Sequence, residues 1–427
     1  MSTFVARPAP AGVRGRIRVP GDKSISHRAV LLAARAEGCS RIRGLSGGDD
    51  VRHTLDAVEH FGAGVERRGR EIRVDGGTAR LHEPGRVVDV GNSGTGIRLL
   101  AGWAACVDGL TVLAGDDSIA YRPMARVVEP LRAMGAQVDG RDGGRLAPLV
   151  VRGGGLHGID YVLPVASAQV KGAVLLAGVG ADGETTVRES TPLRAHTEEL
   201  LSLCGADVRW GAGAVSVRRS LLAPFDIEVP GDPSQAAFWV VAACVTPGSD
   251  LTVKSVYVGR GRAGFLDVLR RMGADVEVIA EDEASTTADL RARFSPLRGT
   301  DVGGDEVPSL IDEIPVLAVA AAYAEGVTTF SGAAELRHKE SDRIVTMTTA
   351  LGALGASTEG RVDGIVVRGR GGRPLEAAAV SSAGDHRVAM AMAVAALPAS
   401  GPVAISGWEA VATSYPGFEE DYGRCVS

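Results

Sequence analysis

Cysteine is scarce and unpatterned in this chain: Cys39, Cys106, Cys204, Cys244 and Cys425 make five, an odd count with no C-x-x-C pair. That spacing argues against a disulfide framework and fits a reduced compartment, with buried, inert thiols as the expected role. The eight histidines form no H-x-x-x-H pair and no His/Cys cluster, so no metal site is expected. No apolar run approaches the ~20 residues of a membrane span, and residues 1–19 lack the apolar core of a secretory leader. A cytoplasmic protein is expected. Positive charge is not in excess either, with 46 Lys+Arg against 52 Asp+Glu and a formal net charge of −6. Bulk nucleic-acid binding is thereby disfavoured, and any cationic site must be local.

What is present is an ordinary globular composition, 45% hydrophobic and 23% charged over 427 residues, long enough for roughly two to three domains. The chain is organised around residues 19–38. Pro20 and Gly21 break a short alternating strand (Val13, Ile17, Val19), and Ile25, Ala29, Leu32 and Ala33 then recur at helical spacing, with Ser24 as the expected N-cap. The charge at this helix start is unusual. Helix N-termini carry partial positive charge and favour acids, yet Lys23, His27 and Arg28 crowd the first turns. Free N–H groups, a serine hydroxyl, a lysine and an arginine together suit a phosphate or carboxylate. For any one such turn, cations pointing into water would explain it equally well.

The turn recurs. Small polar residues that open an apolar helix stand at Ser24, Ser93, Ser167, Ser234, Asp312 and Asp385, and a Gly-Ala pair followed by a strand stands at Gly62, Gly135, Gly205, Gly273 and Gly355. Both markers have a period of about 70 residues, longer than common solenoid repeats, so each unit is expected to be a small α/β element. Strand-like segments after the second helices, such as 137–139, 207–210 and 275–279, suggest a β-α-β-α-β-β order. Val-Pro-Gly-Asp occurs at 19–22 and again at 229–232. Six units with one phrase repeated halfway predict two domains of three units: residues 1–20 with 230–427, and residues 21–229. Neither crossing has a long Ser/Gly/Pro linker, which predicts two stiff connections acting as a hinge.

Cations gather at the helix starts of the first half (Lys23 and Arg28, Arg98, Lys171) and at the last start of the second (His386, Arg387), whereas Asp312 brings an acid. Loops before second helices add Arg122, Arg194, Lys339, Glu340 and Arg343. The expected ligand is one small polyanion, or two, clamped between domains. A dinucleotide is not expected. Gly259-Arg-Gly261-Arg-Ala-Gly264 matches G-x-G-x-x-G, but the repeat places it before a second helix; residues 91–96 space their glycines differently, and no complete Walker lysine motif occurs.

Gly-Asp-Lys-Ser-Ile-Ser-His-Arg, Gly-Asn-Ser-Gly-Thr-Gly-Ile-Arg, Arg-Pro-Met, Ala-Ser-Ala-Gln-Val-Lys, Ile-Asp-Glu-Ile-Pro, Lys-Glu-Ser-Asp-Arg and Gly-Asp-His-Arg-Val-Ala-Met occur in that order over essentially the whole chain. Together they resemble the 5-enolpyruvylshikimate-3-phosphate synthase family, closest to its second sequence class. The resemblance implies a two-domain inverse α/β barrel of six βαβαββ units that closes over two substrates. It implies transfer of the enolpyruvyl group of phosphoenolpyruvate to the 5-hydroxyl of shikimate 3-phosphate, with release of phosphate, on the route to chorismate and the aromatic amino acids. No cofactor or metal is implied, a monomer is expected, and the family is the target of glyphosate, which competes with phosphoenolpyruvate.

Carried over residue by residue, the resemblance makes Lys23, Asp312 and Glu340 catalytic. It gives shikimate 3-phosphate the residues Lys23, Ser24, Arg28, Ser167, Arg194, Asp312 and Lys339, and phosphoenolpyruvate the residues Lys23, Gly94, Arg122, Gln169, Arg343 and Arg387. Read from spacing alone, Asp312 suits an ordinary N-cap and Glu340 a surface ion pair with Lys339 or Arg343. Three departures from the family pattern stand out: Thr413 where many members have a lysine, Leu193 where others have tyrosine, and Glu335 where others have asparagine. The rival readings are UDP-N-acetylglucosamine enolpyruvyl transferase, an enolpyruvyl transferase of secondary metabolism, and a non-catalytic ligand-binding homologue. Ser24 to Arg28 and the Lys339-Glu340 pair suit an acceptor with its own small phosphate and argue against the first.

Overall fold

The computed structural model describes residues 2–282 and 286–426. The chain divides into two compact units, Met1–Pro20 with Pro230–Ser427, and Gly21–Val229. Among the described residues, strands gather into six sheets, five of them of a common plan. In the Gly21–Val229 unit, Gly38–Arg43 pairs in parallel with Asp226–Glu228 and antiparallel with Glu71–Gly76, which in turn pairs with Gly64–Arg68. The sheets built on Gly109–Ala114 and Glu184–Arg188 repeat that order, as do those on Asp250–Tyr257 and Val327–Phe330 in the other unit. Each parallel pair needs a crossover, and helical segments supply it in the sheets of Gly109–Ala114, Glu184–Arg188 and Val327–Phe330, so the β-α-β-α-β-β reading describes these three outright, and two more once a strand distant in sequence takes the first place.

The sixth departs from it. Ala378–Ser381 and Val403–Ser406 are parallel, but the third strand is Thr3–Ala6, from the opposite end of the chain. Strands beside the two Val-Pro-Gly-Asp phrases are exchanged in the same manner. Arg14–Ile17 completes the sheet of Asp250–Tyr257, and Asp226–Glu228 completes that of Gly38–Arg43.

The Gly-Ala marker has a conformational cause. Gly62, Gly135, Gly205, Gly273 and Gly355 all lie at positive φ, one residue beyond the cap of a second helix. In every case the alanine N–H donates five residues back and the glycine N–H donates inside it, as in Ala63 N to Val58 O and Gly62 N to Glu59 O. This is the Schellman ending, in which only glycine adopts the left-handed turn without penalty and a small apolar residue follows.

Each unit is built around three first helices. Pro233–Val245, Ile314–Tyr323 and His386–Ala396 are buried along their whole length. Lys23–Arg35, Gly94–Ala104 and Ala168–Gly178 are buried except near their starts. A helix that is apolar all round belongs in a core. Gly102 shows how close the packing is, since a Cβ there would lie 2.1 Å from the Ala173 carbonyl oxygen. Their N-termini, where sequence had placed the polar residues, are brought together at one end of each unit.

Candidate functional site

In the Gly21–Val229 unit the three helix starts meet through side chains. Arg98 Nη1 donates to Gln169 Oε1 at 2.7 Å, and Gln169 Nε2 donates to Thr95 Oγ1 at 2.9 Å. Arg28 Nη2 donates to the Ala168 carbonyl at 3.2 Å, and His27 Nε2 lies 3.4 Å from Ser93 Oγ. Ser93 and Ser167 cap their helices as expected, accepting from the amides of Gly96 and Val170. Ser24 does not. Asp22 is the N-cap, accepting from Ile25 N at 2.9 Å, and Ser24 falls in the first turn. The Ser234 expectation fails likewise, because Asp232 caps that helix. There Pro233 occupies the first helical position, which its missing N–H suits, so the cap must precede it.

The cations are compensated more than their sequence suggests. Lys23 Nζ meets Asp50 Oδ2 at 2.8 Å, and Asp22 adds an acid at the helix start. Arg98 spends its guanidinium on Gln169 and on the carbonyls of Gly94 and Pro123. Lys171 is buried, 1% exposed, between Glu198 at 2.6 Å and Glu189 at 2.9 Å, so it is not a cation presented at a helix start. Arg28 lies buried with Nε on Thr197 Oγ1 at 2.7 Å. Burial lowers its pKa to about 10, Glu198 and Asp22 oppose the shift, and the nearby Arg194 charge adds to it. His27, buried beside Lys23 and Arg28, is pushed well below the ordinary imidazole value and is neutral near pH 7. It is therefore a positioning group, bonded to Thr54 Oγ1 at 2.7 Å, rather than a third cation.

Arg122 reaches back over the start of the Gly94–Ala104 helix, donating to Asn92 Oδ1 at 2.8 Å. A Cβ on Gly94 would sit 2.5 Å from Arg122 Nη1. The guanidinium thus fills the space that this glycine leaves.

The other unit gathers carboxylates with cations among them. The helix Ile314–Tyr323 begins after Asp312, whose carboxylate instead receives Lys339 Nζ at 3.1 Å and Arg343 Nη1 at 3.5 Å. Its backbone oxygen accepts from Arg387 Nη1 at 3.3 Å. Glu340 pairs with Arg343 Nη2, and Arg343 Nε is fixed by Asp385 at 2.7 Å. Asp385 also caps the helix His386–Ala396 through the amides of Arg387 and Val388. Arg343, 1% exposed, loses hydration, but Asp385, Glu340 and Asp312 outweigh that and raise its pKa. Desolvation and the Arg343 charge leave Lys339 below the usual lysine value in spite of Asp312 and Glu340. The arrangement offers two carboxylates beside an amine of lowered pKa, a set that can exchange protons near a reacting centre.

Four partners have no signal in the sequence: Asp50 on Lys23, Glu189 and Glu198 on Lys171, and Thr197 on Arg28. Asp50 sits in the first turn of the helix Asp49–His60, where an acid is unremarkable. The glycine-rich decoy is also explained. Arg262 from that loop is buried between Asp232 at 2.6 Å and Glu313 at 2.9 Å, occupied by the protein itself. Thr413 lies in the 3-10 turn Trp408–Thr413 with its hydroxyl on the Ala410 carbonyl, and Leu193 is buried.

Residues 8–422 match the family profile of EPSP synthase (3-phosphoshikimate 1-carboxyvinyltransferase). The chain belongs to the EPSP synthase family. A 3-phosphoshikimate 1-carboxyvinyltransferase of Gloeobacter violaceus is 50% identical over 416 residues, covering 96% of each chain. That of Syntrophotalea carbinolica is 48% identical over 411 residues, covering 95% of each. Among solved structures, EPSP synthase of Acinetobacter baumannii superposes with a TM-score of 0.88 at 40% identity, covering 99% of this chain and 98% of that one. The enolpyruvyl transferase NikO of Streptomyces tendae shares the fold, with a TM-score of 0.77 at 19% identity and coverage of 99% and 97%. The EPSP synthase fold is therefore the α/β architecture described above, the inverse barrel of the enolpyruvyl transferases.

Proposed function

We propose that the cationic helix starts bind the anionic groups of the two substrates and that Asp312 and Glu340 move the protons. The chain is an EPSP synthase: it transfers the enolpyruvyl group of phosphoenolpyruvate to shikimate 3-phosphate and releases phosphate. The 5-hydroxyl oxygen adds to the enol carbon while the methylene carbon gains a proton, giving a tetrahedral ketal. That carbon then returns its proton as the carbon–oxygen bond to phosphate breaks. Two proton-exchanging groups among cations are what this sequence of steps requires. Asp312 takes the hydroxyl proton, Glu340 serves the methylene carbon, and Lys23 holds phosphate as it departs.

Shikimate 3-phosphate is assigned Lys23, Ser24, Arg28, Ser167, Arg194, Asp312 and Lys339. Phosphoenolpyruvate is assigned Lys23, Gly94, Arg122, Gln169, Arg343 and Arg387. Arg343 does this while bridging Asp385, Glu340 and Asp312, so it also fixes the geometry of both proton carriers. A monomer working in the cytoplasm completes the reading. One observation supports it most: the Asp312 carboxylate is turned onto Lys339 and Arg343, where sequence alone favoured a helix cap. Phosphate release should require phosphoenolpyruvate with shikimate 3-phosphate and should not occur with UDP-N-acetylglucosamine as acceptor. Turnover with the uridine acceptor, or none with either, would overturn the assignment.

A further inference from the structure

The buried Lys171 contributes no contact to the site as read above, yet it touches both ends of the segment that carries Arg194. Glu189 directly follows the strand Glu184–Arg188, and Glu198 lies in the first turn of the helix His196–Leu203. Residues 190–195 between them form no regular secondary structure. One ammonium, at 2.9 Å from Glu189 and 2.6 Å from Glu198, therefore closes this loop at its base. The side chains of Lys171, Glu189 and Glu198 are 1%, 6% and 2% exposed, so water screens the pairs little.

The same anchorage reaches Arg28. Thr197, next to Glu198, accepts from Arg28 Nε. Gly172, next to Lys171, clears the space: a Cβ there would lie 3.0 Å from both Arg28 Nη2 and Thr197 Oγ1. Two carboxylates against Lys171 leave one negative charge, and Arg28 beside Glu198 balances it.

We infer that Lys171 is a positioning residue which, by joining Glu189 to Glu198, fixes the loop bearing Arg194 and the Thr197 hydroxyl that holds Arg28, and so sets the affinity for the phosphorylated acceptor. This rests on the assignment of Arg28 and Arg194 to that acceptor. It predicts a specific split. Glu189→Gln keeps the volume but weakens one end of the clasp. It should raise KM for shikimate 3-phosphate about tenfold while kcat and KM for phosphoenolpyruvate change less than about twofold. Amide hydrogen exchange over residues 190–197 of the ligand-free protein should quicken. The double variant Lys171→Met with Glu189→Gln keeps Glu198 against Arg28, so it leaves no buried charge of this cluster uncompensated and guards against a mere folding defect. It should remain folded and show the same split.

Arg194→Ala separates the two ideas. If it raises the acceptor KM while Glu189→Gln changes neither KM nor exchange, the clasp is wrong and the assignment stands. If Arg194→Ala leaves that KM unchanged, the assignment falls and the inference with it. A uniform loss of activity in step with the folded fraction would reduce Lys171 to a structural ion pair.

Discussion

Replacing Gly94 by alanine tests the donor side of the site most directly. The added methyl would stand 2.5 Å from Arg122 Nη1 and 3.2 Å from Arg98 Nη1. Ordinary contacts between such atoms begin near ~3.5 Å, so a guanidinium must retreat by about 1 Å. Arg98 is fixed by Gln169 and two carbonyls, which leaves Arg122 to move away from Asn92. A hydrogen bond from a charged group is worth about 1.5–3 kcal/mol, and a partial displacement forfeits part of that. KM for phosphoenolpyruvate should therefore rise about tenfold, the equivalent of about 1.4 kcal/mol. Alanine is also the better helix former, which offsets part of that loss, so thermal stability should change little. Glyphosate is longer than phosphoenolpyruvate and should suffer the methyl itself as well as the displaced arginine. Its inhibition constant should rise by more than the KM. Wild type should be measurably inhibited, since Gly94 presents no methyl to the inhibitor and leaves Arg122 in place, though Thr413 supplies no cation to it. Steady-state phosphate release with an inhibitor titration reads both constants. An unchanged KM would remove Arg122 from the donor site, and equal rises would show that the methyl does not discriminate.

Asp312→Asn and Glu340→Gln should each lower kcat by about 10²–10⁴-fold with KM values little altered, because proton transfer is lost while the polar contacts remain; near-full turnover in either variant would exclude its role. Asp312→Asn also removes from Lys339 a carboxylate that supports its charge, so the alkaline limb of the remaining activity should move to lower pH. Arg28→Ala should act mainly on the KM for shikimate 3-phosphate, and in wild type that KM should climb as pH passes about 10, where Arg28 begins to lose its proton. His27 is held neutral below its ordinary 6.5, so the unfolded chain binds the extra proton. Stability should accordingly fall as pH drops through 6.5 towards the lowered native value, and His27→Gln should flatten that part of a melting-temperature profile.

The repeat was legible because its markers are conformational necessities. A Schellman ending requires glycine at one place and tolerates a small apolar residue at the next, so Gly62-Ala63 and its four counterparts stand out without any knowledge of contacts. The Val-Pro-Gly-Asp phrases were legible for a similar reason, since Asp22 and Asp232 both cap helices. The sixth sheet was not. Its third strand, Thr3–Ala6, lies at the far end of the sequence, and pairing between Phe4 and Ile405 leaves no local trace.

Charge was read less well than conformation, and the reason is general. A cation at a helix start signals an anion nearby, but sequence does not say whose anion it is. For Lys171 it is Glu189 and Glu198, for Arg262 it is Asp232 and Glu313, and for Lys23 it includes Asp50. The helix carrying Lys171 and the loop carrying Arg262 are in equivalent repeats to segments carrying catalytic candidates, so the same pattern serves structure in one place and chemistry in another. Exposure sets Lys339 apart from these two, although Arg343, assigned above to phosphoenolpyruvate, is itself buried against Asp385. Lys171 and Arg262 are 1% and 2% exposed with carboxylates on them, whereas Lys339 is 24% exposed beside an Asp312 that is itself 16% exposed. A partly hydrated ion pair can exchange one partner for a substrate at modest cost, while a buried one loses several kcal/mol when a partner is removed. The Lys339–Asp312 pair is therefore where a substrate phosphate or hydroxyl group can be expected to compete, and the Lys171 and Arg262 pairs hold the framework around it.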